Sequence, residues 1–470
     1  MAVRTPSTTE SRAPLPHPRW RLPVFGDLLT TDPIKPTQMS MRDAQALGPI
    51  FERRIMDWPM IVVSGADLIA EINDEKNWTK HVGVLFKKIR PVARDGLFTA
   101  YNSEPNWQKA HNILAPSFTK EAMIGYHDTM NAVAGDLIAY WASRRGQWVD
   151  VAEDMNRFTL EVISKCGFDF TFDSFTREKT HPFVATMLRG LRYINSNANL
   201  PPIIQKTVGR SASIQHKRDI AYVHEVVDEI IATRKSSGTV GEHSDLLDRM
   251  LTVPDPETGE TLDDLNIRNQ ILTFLVAGHE TSAGVLAFAL YEIARNPGIA
   301  ARAREELAER FPGQSHLTIA FDDVAKLRYI RRIVDETLRL WPVAPGYFRE
   351  ARHDVVIGDG RYHFKAGEWV LVLTLQAHRD KTVWGEDAEK FDPDRWLPGR
   401  QRDQRAYKPF GTGLRACIGR QFAYHEVMLA LAHLLREFDF EHDPGYKLDI
   451  KEQITLKPSG FKLRLSPRSS

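Results

Sequence analysis

Apolar residues recur at steps of three and four between about residues 104 and 340, which is the pattern of amphipathic helices. The stretches AVAGDLIAYWAS (132–143) and DIAYVHEVVDEIIATRK (219–235) show this periodicity. Short β-rich segments lie on either side of the helical region, in PMIVVSG (59–65) and in DVVIGDGRYHFKAGEWVLVLT (354–374), where GDGR is expected to form a hairpin turn. The pattern therefore predicts a mainly α fold with small β-sheets.

Three breaks in the helical pattern carry the proline, glycine and serine residues of turns, at 197–205, 235–245 and 252–261. None of them is a long low-complexity linker, and the chain has no internal repeat. We therefore expect one large domain over residues 35–470.

Residues 1–34 are expected to form an extended lead segment over the surface of this domain, because they are rich in proline. The prolines on which this expectation depends are Pro14, Pro16, Pro18 and Pro23. No apolar run in the segment is long enough for a signal peptide or a membrane anchor.

The longest predicted helix is expected to form much of the core. It is predicted to begin at Thr261, which forms a cap-like T-x-x-D pattern with Asp264, and no proline follows before Pro297. Its stretch 271–294 is apolar on most sides, so the helix should be buried. The sequence AGHET (277–281) nevertheless places two ionisable groups and a hydroxyl at its centre.

Composition and charge exclude several classes of protein. A hydrophobic share of 42% and a net charge of +1 describe an ordinary globular chain, with no reason to expect a nucleic-acid partner. The two cysteines, Cys166 and Cys417, are too few for a disulfide framework, which fits a cytoplasmic protein. Neither cysteine has a second ligand at zinc-binding spacing.

Cys417 lies in the loop PFGTGLRACIG (409–419), and its surroundings differ from those of a core cysteine. Gly411, Gly413 and Gly419 supply backbone freedom, including positive φ, and a helical pattern follows from Gln421. A helix N-terminus favours a thiolate, which can act as a nucleophile or as a metal ligand. No cysteine-protease signature surrounds it. Cys166 is interpreted as helix core.

The stretch FGTGLRACIG resembles the haem-ligand loop of the cytochrome P450 family at all six fixed positions. AGHET resembles the oxygen-activation stretch of that family's long helix, ETLR (336–339) its E-x-x-R helix, and FDPDRW (391–396) the segment with the second arginine. The resemblance covers about residues 35–465 and is closest to bacterial self-sufficient fatty-acid hydroxylases, through NWQKAHNILAPSF, HRDKTVWG and TLKPSGF. It implies a single P450-type domain that binds haem b.

The resemblance implies which residues hold the haem. Cys417 would be the axial thiolate ligand of the iron, with Phe410 beside the sulfur. Arg415, Trp107 and His111 would pair with the haem propionates. Arg349 has two alternatives, a propionate partner or a solvated charge on a strand. The remaining residues implied to contact the cofactor are Gly411, Ala416, Gly419 and Ala277.

The resemblance also assigns the catalytic residues Glu280 and Thr281, as an acid–alcohol pair that delivers protons during oxygen activation. Thr281 has an alternative role, a hydrogen bond back to the carbonyl of Ala277. An unpaired Glu280 carboxylate in the core would be costly, which favours the catalytic role.

Gly278 is expected to let the helix open and admit dioxygen. Glu336 and Arg339 are expected to form a structural ion pair, joined by Arg395.

The implied substrate positions are apolar, which suits a long-chain or aromatic substrate. They are Phe98, Leu191, Val276 and Ala344. Fatty-acid hydroxylases of this group hold the substrate carboxylate with an arginine and a tyrosine, and the matching positions here are Trp58 and Val62. Neither neutralises a carboxylate, although Lys87 and Lys88 are nearby in sequence.

The resemblance implies a monooxygenase that takes two electrons from NADPH through a diflavin reductase, with FAD and FMN in a domain or partner outside this chain. Lys408, Arg415 and Arg420 are consistent with a basic face for that partner. Two alternatives stay open: a peroxide-driven hydroxylase, which the Glu280–Thr281 pair argues against, and a non-enzymatic haem protein that carries electrons or senses a gas.

Overall fold

The structure is a computed structural model that describes residues 14–56, 58–177, 179–198, 210–313, 318–400 and 403–468. These residues form two compact units. The β-rich unit contains the described residues of 1–81, 345–389 and 401–416, and the helical unit contains those of 82–344, 390–400 and 417–470.

The described elements are numbered in chain order. The helices are α1 (Pro36–Leu47), α2 (Ala66–Ile72), α3 (Val84–Ala93), α4 (Asn106–Leu114), α5 (Ala122–Ala142), α6 (Val151–Phe168), α7 (Pro182–Ala198), α8 (Arg210–Ser236), α9 (Leu246–Thr252), α10 (Asp264–Arg295), α11 (Pro297–Arg310), α12 (Phe321–Val324), α13 (Arg328–Leu340), α14 (Thr374–Ala377), α15 (Lys381–Trp384) and α16 (Arg420–Glu437). The strands are β1 (Ile50–Ile55), β2 (Trp58–Val63), β3 (Trp78–Lys80), β4 (Trp148–Asp150), β5 (Tyr347–Ala351), β6 (Val355–Ile357), β7 (Tyr362–Phe364), β8 (Trp369–Val372), β9 (Phe438–His442), β10 (Ile450–Glu452), β11 (Leu456–Pro458) and β12 (Lys462–Pro467).

The β-rich unit is built on a five-stranded sheet in the order β1-β2-β8-β5-β3. The β2–β8 pair is parallel and the other pairs are antiparallel. Its core contains the indole of Trp78, which is fully buried and packs edge-on against Phe364 at 5.2 Å. The β6–β7 hairpin turns through Gly358, Asp359 and Gly360, all at positive φ, which confirms the turn predicted at GDGR.

The helical unit contains the long helices and two small sheets, β4-β12-β9 and β10-β11. Helices α5 and α8 cover the two stretches in which periodicity predicted helix, and the mainly α fold class with small sheets is confirmed. Residues 197 and 198 end helix α7, and the rest of the break predicted at 197–205 lies outside the described residues. The boundary at residue 35 stays a prediction, with α1 beginning at Pro36.

Helix α10 begins three residues later than predicted. Asp263 is its N-cap, and the Asp263 carboxylate accepts a hydrogen bond of 2.7 Å from the backbone N–H of Asn266. The predicted cap at Thr261 is therefore wrong. A carboxylate at the cap gains both this hydrogen bond and the attraction of the helix dipole, whereas a threonine hydroxyl gains only the former.

Helix α10 is also long and apolar enough to cross a membrane, as judged by length and composition alone. Most of its apolar stretch is buried inside the protein, as expected for a core helix. No other helix in the described ranges meets this test.

Two glycines let α10 approach its neighbours closely. A Cβ on Gly278 would lie 3.1 Å from Cγ1 of Ile163 on α6, and a Cβ on Gly284 would lie 2.9 Å from the carbonyl oxygen of Leu456 on β11. The helix is continuous through Gly278, so the structure gives this glycine a packing role and shows no opening of the helix. The contact at Gly284 holds the β10–β11 hairpin against the middle of α10.

Candidate active site

The backbone of the loop before Cys417 depends on two glycines of the β-rich unit. Gly411 and Gly413 have φ of 68° and 69°, in the left-handed region that favours glycine. A Cβ on Gly413 would lie within 2.4 Å of the Glu75 carboxylate, which accepts a hydrogen bond of 2.9 Å from the backbone N–H of Leu414. A short 3-10 helix, Gly413–Arg415, then leads to Ala416. The predicted positive φ is confirmed at Gly411 and Gly413, but Gly419 has φ of −82°.

Cys417 lies three residues before the first residue of α16, in the helical unit, as the sequence predicted. It is exposed, whereas Cys166 is buried in α6, which confirms the core interpretation of Cys166. Although part of the residue is accessible, the protein packed around its sulfur raises the pKa of the Cys417 thiol. The N–H of Gly419 and the charge of Arg420 lower that pKa, but by less. The helix terminus therefore favours the thiolate, as predicted, but by less than burial opposes it, and a bound metal would add to this effect because it deprotonates a coordinating thiol.

Phe410 and Arg415 belong to the β-rich unit and are both half-buried. Phe410 precedes Gly411 in a turn closed by a hydrogen bond of 3.1 Å from the Gly411 N–H to the carbonyl of Lys408. Arg415 ends the 3-10 helix. Their roles beside the cofactor remain predictions.

Arg349 is buried on strand β5, so the alternative of a solvated strand charge is wrong. Its guanidinium donates to the carbonyls of Ile72 and Trp78, at 3.2 and 3.3 Å. Burial lowers the pKa of Arg349, and no carboxylate among the described residues forms an ion pair with it. A buried guanidinium held only by carbonyls is chemically suited to an anionic group of a ligand.

Trp107 and His111 lie on one face of α4 in the helical unit, as their four-residue spacing predicted. Their rings stack at 4.9 Å with an angle of 24° between the planes. Trp107 is buried and His111 is half-buried. The stack fixes the direction in which both ring N–H groups can donate.

Glu280 is buried at the centre of α10, and the structure gives it a partner that the sequence analysis missed. Its carboxylate lies 3.4 Å from Nζ of Lys457 and 3.5 Å from the hydroxyl of Thr455. The expectation of an unpaired core carboxylate is therefore wrong. The signal was present in TLKPSGF, whose lysine follows a strand-like alternation, but the pairing spans 177 residues.

Thr281 donates a hydrogen bond of 2.8 Å from Oγ1 to the carbonyl of Ala277, which is the alternative the sequence analysis left open. Ala277, Gly278 and Thr281 are half-buried, while their neighbours on the helix are buried. The next ionisable group, His279, is fully buried and donates from Nδ1 to the carbonyl of Leu275 at 2.5 Å. Burial lowers the pKa of His279. The accessible face of the helix thus presents Ala277 and Thr281.

The structure brings together two of the four predicted substrate residues. Leu191 and Val276 line one small apolar cavity of about 20 Å³ between α7 and α10. Phe98 packs edge-on against Phe86 at 4.6 Å, and Ala344 is exposed; neither lines that cavity. Their role as substrate contacts remains a prediction.

The positions that match the carboxylate-binding pair of fatty-acid hydroxylases carry no cation. Trp58 is partly exposed and packs near Trp369 at 5.7 Å, and Val62 is fully buried. Burial lowers the pKa of Lys88 on α3. Trp58 and Val62 therefore cannot neutralise a substrate carboxylate.

Glu336 and Arg339 form the predicted ion pair, in two hydrogen bonds of 2.8 Å between fully buried side chains. The Nε atom of Arg395 lies 3.4 Å from the same carboxylate, and Trp396 donates to it at 3.0 Å. The N–H of Asp392 donates at 2.9 Å. The structural triad is confirmed, and it ties the segment 390–400 to α13.

A second buried carboxyl was also missed. Glu426 is fully buried on α16, and burial raises the pKa of Glu426 to about 8, opposed by Ser282 on α10. At neutral pH it is therefore mostly protonated and can lie in the core without a counter-charge. A lone acid in the apolar stretch YHEVMLALA was the available signal.

The residues described above fit an iron porphyrin. In the helical unit, Cys417 places a thiol directly before a helix, and sulfur is a soft ligand for iron. In the β-rich unit, the buried Arg349 guanidinium has no carboxylate partner among the described residues and is chemically suited to a propionate.

Comparison with known proteins agrees with this chemistry. A family model described as Cytochrome P450 matches residues 15–465. The chain is 45% identical over 456 residues to a bifunctional cytochrome P450/NADPH–P450 reductase of Bacillus cereus, and 42% identical over 460 residues to the second such protein of Bacillus subtilis. Each alignment covers 97% of this chain but only 42% and 43% of these relatives. Among solved structures, a cytochrome P450 named CYP102L1 matches with a TM-score of 0.89 and 47% identity, over 97% of this chain and all of that one.

Proposed function

The chain belongs to the cytochrome P450 family, and we propose that it inserts one oxygen atom from dioxygen into C–H bonds of an apolar, fatty-acid-like substrate. It is an oxidoreductase of the monooxygenase family, and haem is its cofactor. When bound, haem supplies the iron at which dioxygen is reduced and split. The main support for the reaction is the presence of two features in the helical unit. Cys417 is exposed just before α16, and a buried Glu280 lies next to Thr281 on α10.

We assign the haem contacts to the residues that the structure makes available. Cys417 supplies the thiolate, and Arg349, Arg415, Trp107 and His111 supply donors for the propionates. Phe410, Gly411, Ala416 and Gly419 shape the loop, and Ala277 supplies an apolar surface on α10. The buried, carboxylate-free Arg349 is the best supported of the propionate partners.

We assign proton delivery to Thr281 and Glu280. The Thr281 hydroxyl, which is half-buried, can pass a proton to a group bound beside it, and Glu280 can resupply that proton through an ordered water. Lys457 holds the Glu280 carboxylate at 3.4 Å and is itself half-buried, so the carboxylate has a route to solvent. This arrangement favours reductase-driven chemistry over the peroxide-driven alternative, which does not need a proton relay.

Replacing Thr281 with alanine should lower the ratio of product formed to NADPH consumed by about tenfold or more in reductase-driven turnover, because a positioned proton donor is lost. Thr281→Ser keeps the hydroxyl and should keep most of the coupling. The measurement is product yield and NADPH oxidation in the same reaction.

A matched control for this experiment lies on the same helix. Thr273 makes the same type of hydrogen bond, 2.7 Å from Oγ1 to the carbonyl of Asn269, so Thr273→Ala removes an equivalent helix contact. It should leave coupling unchanged. Unchanged coupling in Thr281→Ala would refute the proton-delivery role of Thr281.

The apolar side chains of Leu191 and Val276 support an apolar substrate, and Trp58 and Val62 provide no anchor for a carboxylate. A long-chain fatty acid and the matching fatty alcohol should therefore both shift the haem spin state, with dissociation constants within about tenfold of each other. A spectral titration of the haem-loaded protein measures this. A preference for polar compounds, with no response to either lipid, would contradict the proposed substrate class.

We propose a diflavin redox partner that uses NADPH, FAD and FMN, since the matched relatives are named as fusions with NADPH–P450 reductase. Exposed Arg420 and half-buried Lys408 supply positive charge that could contact such a partner. A cytoplasmic location remains a proposal from the cysteine content.

A further inference from the structure

A cavity of about 470 Å³ lies within the helical unit, lined by α6, α7, the middle of α10 and the β10–β11 hairpin. None of the residues predicted to bind haem or substrate lines it. Its lining contains six lysine and arginine side chains, Arg157, Arg177, Lys179, Arg192, Lys451 and Lys457. Only two carboxylates of the described residues line it, Asp150 and Glu153.

Both of these carboxylates already have partners. Asp150 caps α6 by accepting a hydrogen bond of 3.0 Å from the N–H of Glu153, and Glu153 pairs with Arg157 at 2.9 Å. Lys179, Arg192 and Lys451 have no carboxylate partner among the residues that the structure describes. The cavity therefore carries a positive charge that the lining does not neutralise.

Three of the cations that line the cavity lie near one another. Lys451 and Lys457 lie on adjacent strands of the hairpin, and Arg192 projects from α7. Burial and the charges of Lys457 and Arg192 lower the pKa of Lys451, opposed by the smaller effect of Glu280, which pairs with Lys457 at 3.4 Å. Such repulsion is relieved when an anion binds among them.

Polar atoms without partners mark the same cavity. Nε2 of His279, Oδ1 of Asn156 and Nε of Arg157 belong to residues that line it, are buried, and have no hydrogen-bond partner in the described part of the chain. His279 is nine-tenths or more buried, and its Nδ1 already donates to Leu275. The remaining Nε2 of the neutral ring is therefore an acceptor that needs a donor.

We infer that this cavity is a binding site for a phosphate monoester with an apolar or aromatic body. A phosphate dianion carries two negative charges for Arg192 and Lys451, whereas its monoanion carries one charge and a P–OH group that can donate to His279 Nε2. A carboxylate provides neither the second charge nor that donor. The buried side chains of Leu160, Phe172 and Val184 form an apolar wall for the rest of the ligand.

The test is isothermal titration of the haem-loaded protein with phenyl phosphate, inorganic phosphate, sulfate and benzoate at low ionic strength. Phenyl phosphate should bind most tightly, inorganic phosphate more weakly, and benzoate and sulfate weakest. The variant Arg192→Gln/Lys451→Gln should weaken phenyl phosphate binding by about tenfold or more, and added salt should weaken binding to the unaltered protein.

The matched control removes two positive charges elsewhere in the helical unit. Lys217 and Arg218 are exposed on α8 and do not line the cavity, so Lys217→Gln/Arg218→Gln should bind phenyl phosphate as the unaltered protein does. The charge-conserving variant Arg192→Lys/Lys451→Arg should recover most of the affinity. Equal binding by the unaltered protein and the Arg192/Lys451 variant would overturn the inference, as would no phosphate binding at millimolar concentration.

Inorganic phosphate and phosphate monoesters share the same recognition chemistry, and the two arms of the titration separate them. A clear advantage of phenyl phosphate over inorganic phosphate supports a monoester ligand, because only the monoester reaches the apolar wall. Equal affinities for phenyl phosphate and inorganic phosphate would overturn the proposal that the ligand has an apolar or aromatic body, while the phosphate-binding site itself would stand. Neither result depends on turnover, so this test is separate from that of the proposed monooxygenase activity.

Discussion

Replacing Cys417 with serine is expected to abolish the strongly red-shifted Soret band of the reduced carbon-monoxide complex, because the band depends on a thiolate ligand to the iron. Reductase-driven activity should fall by more than about 100-fold, beyond the range found when only partners of metal ligands are changed. The measurements are the difference spectrum of the carbon-monoxide complex and the rate of product formation.

The chain provides a control for this experiment, because Cys166 is its one other cysteine. Cys166 is buried in α6, and burial raises the pKa of its thiol well above the usual value. Cys166→Ser should therefore keep the thiolate spectrum, whatever it costs in stability. A thiolate spectrum that persists in Cys417→Ser, or that disappears in Cys166→Ser, would contradict the assignment of the ligand.

Replacing Glu336 with glutamine should lower the free energy of unfolding by about 3–5 kcal/mol, the cost of leaving a buried charge without its partner. Glu336 and Arg339 are both fully buried, and the carboxylate also accepts from Trp396 and Asp392. The glutamine side chain has the same shape, so the loss comes from the missing charge rather than from a cavity. Urea unfolding of the haem-loaded protein, followed by circular dichroism, measures the effect.

The control for this prediction is an ion pair on the protein surface. Glu386 pairs with Lys381 at 2.9 Å, but both side chains are largely exposed. Glu386→Ala should change the free energy of unfolding by less than about 1 kcal/mol. A loss for Glu336→Gln no larger than that for Glu386→Ala would show that the buried triad does not stabilise the fold.

The sequence predicted the helices of this protein well and their ends less well. Periodicity identifies α5 and α8 because each has a continuous apolar stripe. The start of α10 was misplaced because TLDD offers several good caps within three residues, and the choice depends on which side chain reaches a free N–H. The hairpin at GDGR was predictable because its positive φ angles favour glycine.

The site was predictable where chemistry is local and not where it depends on distant segments. The glycine-rich loop, the shared helix face of Trp107 and His111, and the pair of Glu336 with Arg339 follow from short spacings. The contact of Glu280 with Lys457 joins residues 177 positions apart, so the local pattern around Lys457 does not identify its partner. Burial of Arg349 depends on the place of β5 between β8 and β3, in a sheet whose strands come from residues 50–80 and 347–372.

The hydrogen bond from Thr281 to the carbonyl of Ala277 means that the hydroxyl is occupied at rest. To serve any other acceptor, its side chain must first rotate away and give up a bond whose net worth is typically about 1 kcal/mol. That penalty leaves roughly one molecule in six with the hydroxyl released at any moment, since 1.4 kcal/mol corresponds to a factor of ten. Rotamer exchange of an accessible side chain takes picoseconds to nanoseconds. The population with a released hydroxyl is therefore restored far faster than an enzyme turns over.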